Sequence, residues 1–147
     1  MRRKITWTRF LQLGSLFAKA ALTAGCGKGR VDAWVTSDWI FVNASTHKVE
    51  VVYKTYKSFV IEPGKSYTYS TSGLGPPNVT PDDFYSPYRG TTAIIIDDDI
   101  VHEPQMGESI TNVPNFEAEK VERNHYKFTY VFTDEYIETL IAGSVTP

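Results

Sequence analysis

The chain has 147 residues, with 15 lysines and arginines against 17 acids and a formal net charge of −2. That length suits one domain with a core of its own. Residues 1–25 hold five of the basic residues and no acid, so residues 26–147 carry ten basic residues against seventeen acids, a net charge of −7. Such an acidic stretch, without a basic patch, excludes nucleic acid as a partner and argues against peripheral binding to anionic lipid.

Taken in order, the chain begins with Arg2, Arg3 and Lys4, continues through an apolar run over residues 10–22, and reaches small Ala24 and Gly25 before Cys26, the sole cysteine. A positive start, an apolar middle and small residues before a cut are the parts of an export signal. The apolar run is too short to span a bilayer as an ordinary membrane helix. The alternative is the first helix of a cytosolic domain with Cys26 as a buried thiol. The stretch Leu22-Thr23-Ala24-Gly25-Cys26 resembles the lipobox of bacterial lipoproteins. The resemblance implies that residues 1–25 are removed and that Cys26 carries diacylglycerol through a thioether and becomes the new N-terminus. The membrane is then the partner of that lipid, and no thiol is left for a disulfide or a thiolate metal site. Gly27 at the next position leans towards the outer membrane. The absence of an acidic cluster directly after Cys26 leans towards its periplasmic face.

Residues 26–32 read as a short tether and 33–147 as a single domain. A first strand over 35–43 has apolar residues on both faces, which predicts a central position. Residues 49–57 alternate, with Val49, Val51 and Tyr53 inward. After Phe59-Val60-Ile61, the run Glu62-Pro63-Gly64-Lys65 has the chemistry of a type II turn, and residues 66–71 pair back. Residues 72–90 hold four prolines and three glycines and read as one long loop, a length that is uncommon and often functional. Strands are expected at 91–97 and 100–103, a mostly irregular stretch at 105–114 with a short strand at 109–112, and a charged stretch at 117–123 in which Glu119 and Arg123 have helical spacing. Residues 126–133 alternate most clearly, with Tyr126, Phe128, Tyr130 and Phe132 inward. One or two helical turns follow over 134–141. Together these predict an all-β chain, an antiparallel β-sandwich (immunoglobulin-like) of about seven strands with a short C-terminal helical turn. The runs Ile61-Glu62-Pro63-Gly64-Lys65-Ser66 and Tyr126-Lys127-Phe128-Thr129-Tyr130-Val131-Phe132-Thr133-Asp134-Glu135-Tyr136, with the lipobox, are similar to small β-rich lipoproteins of Bacteroidota. Those motifs are turn and strand chemistry, so the likeness carries over no functional residue.

Reactive residues are few. His47, His102 and His125 are the only imidazoles, and no Gly-x-Ser-x-Gly elbow, phosphate-binding glycine loop or His-Glu-x-x-His pair is present. Asp97, Asp99 and Glu103 are the only candidates for hard oxygen ligands, but the glycine and glutamate of a calcium loop are missing, and a solvated hairpin turn is the plainer reading. No motif calls for a cofactor. The cluster Phe84-Tyr85-Ser86-Pro87-Tyr88-Arg89 stands out: Tyr85, Tyr88 and Arg89 are expected to contact a glycan or a protein partner, unless Phe84 and Tyr85 fold back to plug the sandwich. A non-catalytic envelope binding protein is therefore expected. The alternative is an envelope enzyme or metal-binding protein with a site near His102 and the Asp97-Asp98-Asp99 turn.

Overall fold

A computed structural model describes residues 32–54 and 58–144. The leader, Cys26 and the tether up to residue 31 lie outside the described residues, as does the 55–57 end expected for the second strand. Two four-stranded sheets share one hydrophobic core. The strands are β1 (Ala33–Asn43), β2 (Val49–Tyr53), β3 (Phe59–Ile61), β4 (Ser66–Gly75), β5 (Thr91–Ile96), β6 (Ile100–His102), β7 (Glu117–Glu122) and β8 (His125–Phe132), followed by one helix, α1 (Asp134–Ser144). One sheet has the order β4-β1-β8-β7 and the other β3-β2-β5-β6. The expected all-β sandwich with a C-terminal helix is thus present. Among the described residues it has eight strands, its order is not the ABED and CFG order of immunoglobulin domains, and one neighbouring pair, β1 with β8, runs parallel.

Period-two patterning explains the inner faces. On β1, Ser37, Trp39, Phe41 and Asn43 are buried; on β8, Tyr126, Phe128, Tyr130 and Phe132 are. The parallel register sets Trp39 beside Phe128, and their rings stack at 4.2 Å between centroids. From the other sheet come Val49, Val51, Phe59, Ile61, Ile94 and Ile96, all buried. Phe41 and Phe59 meet across the sandwich at 5.1 Å. Gly64 has φ +71°, and the Lys65 N–H donates to the Glu62 carbonyl at 3.0 Å, as the predicted type II turn requires.

Three local expectations are corrected. Residues 72–75 extend β4 rather than opening the loop, because the long β1 offers them partners from Thr36 back to Ala33. The region around Ser109 forms two 3-10 turns, Ser109–Thr111 and Val113–Asn115, with Ile110 driven fully into the core. Residues 117–122 form an edge strand, not a helix. Every one of them is exposed, so no inside-outside alternation marks them, and Glu119 pairs across to Lys127 at 2.7 Å rather than along a helix to Arg123. The helix is longer than expected, at 11 residues. The Thr133 hydroxyl accepts the Tyr136 N–H at its start, and Ile137 and Leu140 are buried below it. Among the described residues, no helix is long and apolar enough to cross a membrane.

Candidate functional site

The connection from β4 to β5 is built from the inside out. Asp83 accepts from the N–H and hydroxyl of Thr80 at 2.7 and 2.9 Å, closing the short turn Pro81–Asp83. These two bonds hold the Asp83 carboxyl below its ordinary pKa. Phe84 then turns inward onto Tyr126 and Phe128, with ring centroids 5.6 and 5.1 Å away. Ser86 is buried, donates to the Ile110 carbonyl at 2.6 Å and accepts the Tyr88 N–H at 3.1 Å. That clamp fixes which rings of the loop go in and which stay out.

Tyr88 goes in. It is 3% exposed, lies edge-on to Phe41 and Phe59 with centroids 5.0 Å away in each case, and donates its hydroxyl to that of Tyr67 at 3.4 Å. Burial, followed by the Tyr67 hydroxyl, pushes its pKa far above that of a free phenol, so it stays a neutral donor. The expectation that Tyr88 is a free surface contact is therefore corrected: most of the ring is core. Tyr85 stays out, 76% exposed, and the Arg89 guanidinium sits 5.5 Å from its ring centre. Arg89 takes part in no ion pair among the described residues. The plug is thus Phe84 with Tyr88, where the sequence pointed to Phe84 with Tyr85.

All three predicted contacts nevertheless line one cleft of 270 Å³, joined by Tyr53 from β2 and Tyr69 from β4. The sequence reading missed these two because their strand positions mark them as core. The available signal was chemical: both are tyrosines at positions where phenylalanine would bury as well. Gly90 belongs to the same construction. A β-carbon there would stand 3.0 Å from the Tyr53 ring, closer than ordinary contact, so a larger residue would press the ring aside. A tyrosine-walled cleft with a guanidinium at its rim can stack an apolar ring face and donate hydrogen bonds to hydroxyl or carboxylate oxygens.

The other candidates are dispersed. Asp97 accepts from His47 Nδ1 at 2.6 Å and from the Lys48 N–H at 2.8 Å, and Lys48 reaches Asp98. His47 first, then the Lys48 N–H, holds the Asp97 carboxyl below its ordinary pKa. Asp97 and Asp98 have φ of +52° and +64°, the paired positive values of a tight hairpin turn. Among the described residues, no group of three or more histidine, cysteine or acid side chains converges on a point where a metal would sit, and Asp97, Asp99 and Glu103 are not brought together. His102 faces Glu108 at 3.9 Å beside a wider recess walled by Ser109, Tyr130 and Tyr136, away from the Asp97 pairing. His125 pairs with Asp38 at 2.7 Å. No imidazole nitrogen is hydrogen-bonded to a hydroxyl among the described residues, so no nucleophile and base are set side by side. Comparison with protein families, with curated proteins and with solved structures finds no match for this chain.

Proposed function

We propose that this protein is a non-catalytic, lipid-anchored module of the bacterial cell envelope that holds a glycan in the cleft lined by Tyr53, Tyr69, Tyr85 and Arg89. The anchor rests on the lipobox-like Leu22-Thr23-Ala24-Gly25-Cys26 and the basic, acid-free leader before it. Gly27, with no acidic cluster directly after Cys26, favours an outer-membrane protein facing the periplasm. The observation that carries the binding role is the 270 Å³ tyrosine-lined cleft, whose rim combines an exposed tyrosine with an arginine that pairs with no carboxylate among the described residues. A narrow cleft of this kind fits a sugar ring better than it fits a protein, since a stable protein contact needs about 800 Å² on each partner. The Arg89 charge favours a sugar bearing a carboxylate or a phosphate.

The test is binding of envelope glycan fragments by calorimetry, with Tyr85→Ala and Arg89→Ala compared with the native chain. Both side chains are exposed, so the variants are expected to melt at the native temperature. Binding lost at unchanged stability supports the reading. Binding kept in both variants overturns it. Protein partners recovered by crosslinking, and lost in the same variants, would replace the glycan with a protein. A metal that raises the melting temperature would shift weight to a metal-binding role.

A further inference from the structure

Outside the cleft, the outer face of the first sheet carries a strongly exposed apolar pair. Trp34 and Leu74 are 64% and 71% exposed. They are directly opposite each other in the β1–β4 ladder and so share the outer face of the sheet. Further along that face the rows turn polar: Thr36 lies opposite Ser72, and Asp38 lies opposite Ser70 and accepts its hydroxyl at 2.6 Å. The face is apolar again at Ile40, Val42 and Val131 towards its other end, but Trp34 and Leu74 are its most exposed apolar residues and lie where the chain enters β1. Cys26 is eight residues before Trp34. Fully extended, eight residues reach about 28 Å, so a lipid on Cys26 would limit this end of the sheet to within about 28 Å of the bilayer.

We infer that Trp34 and Leu74 dock on the phospholipid leaflet that holds the acyl chains of Cys26, and so set the orientation of the domain on the membrane. This rests on the lipid-anchor reading. Tryptophan suits the occupant, because its ring is apolar and its N–H finds partners among headgroups. Lys28 and Arg30 lie between Cys26 and Trp34 and put positive charge on the stretch nearest those headgroups, although the domain as a whole is acidic. A second copy of the chain is a poorer occupant. One tryptophan and one leucine offer far less than the about 800 Å² per partner of a stable dimer. The lipid remains the anchor; the pair adds a second, weaker contact that limits rotation about the tether.

The experiment uses the protein expressed from the full-length chain, purified from membranes in detergent and reconstituted into phosphatidylethanolamine vesicles with or without bromine on the acyl chains. Tryptophan emission is read, with buried Trp39 as the internal reference. The mass of the N-terminal peptide is measured on the same preparation. Emission quenched by bromolipid in the native protein, and falling to the Trp39 level in a Trp34→Phe variant of native melting temperature, supports the docking. Diacylglycerol on Cys26 with no quenching overturns the docking and leaves the anchor standing. Emission shielded from both bromolipid and aqueous iodide means that a protein covers the pair, which also overturns it. A peptide mass without lipid removes the anchor reading and the docking with it.

Discussion

Asn43 is fully buried and uses every hydrogen-bonding position it has. Its Nδ2 donates to the carbonyls of His47 and Ile61 at 2.7 and 2.8 Å, and its Oδ1 accepts from the N–H and hydroxyl of Ser45 at 3.0 and 2.7 Å. One side chain thus ties the end of β1 to the following turn and to β3. Asn43→Ala strands several of these groups in the core at once and is expected to cost about 3 kcal/mol or more, read from urea unfolding. Asp38 is the second informative residue. The Ser70 hydroxyl first, and His125 after it, hold its carboxyl below the ordinary value, against partial burial. A carboxyl depressed in the folded state contributes stability above its unfolded pKa and loses it as pH falls through the folded pKa. Below about pH 4 the native protein is therefore expected to lose urea resistance more steeply than Asp38→Asn. Urea midpoints measured between pH 5 and pH 2 check this; parallel curves would remove Asp38 from the acid response. Neither role was legible in the sequence. Asn43 reads there as an ordinary turn residue and Asp38 as a polar residue in a strand, because their partners lie 18 and 87 positions away.

Elements with a strong one-sided burial pattern were the most legible; β7, without one, was not. Tyr126, Phe128, Tyr130 and Phe132 announce β8 because they alternate with polar residues, and Tyr130 lies in the core as its position demands. β7 has no buried residue, so its charges carry no period and its strand form comes only from pairing with β8. Those charges still have a job. β7 is a sheet edge, and Glu117, Glu119, Lys120 and Glu122 keep its unpaired backbone from adding a foreign strand. In the other sheet, the edges β3 and β6 are only three residues long, which serves the same end. Replacing Glu117, Glu119 and Lys120 by threonine is expected to raise self-association several-fold with little change in melting temperature, since an exposed pair such as Glu119–Lys127 contributes only about 0–1 kcal/mol. Light scattering against time, beside a thermal scan, separates the two effects. The aromatic loop shows the same limit of local reading. Tyr85 and Tyr88 are equivalent by composition; contacts with distant residues, the Ser86 bond to Ile110 24 residues on and the packing of Tyr88 on Phe41 and Phe59, leave one exposed and the other buried.

For the molecule as a whole, the least legible feature is the parallel pairing of β1 with β8, the first and last strands. Parallel neighbours leave no mark on the local pattern, and turn counting cannot join segments so far apart. This pairing places Trp39 against Phe128, and the Ala44 N–H donates to the Phe132 carbonyl at 2.9 Å. Half of the inner wall of the first sheet is therefore absent until β8 is in place. The consequence is one of timing. A chain still being synthesised cannot close this sandwich until β8 has emerged, because β8 completes the sheet that β1 begins. Polypeptides stalled on the ribosome and ending at residue 122 are expected to be cut by protease throughout residues 33–43. Chains extended by a linker that frees residue 144 are expected to resist. Protection of the shorter chains would show that β8 is dispensable for closure. Under the proposed lipid-anchor reading, late closure would leave the chain open for passage through an export channel before the sandwich forms.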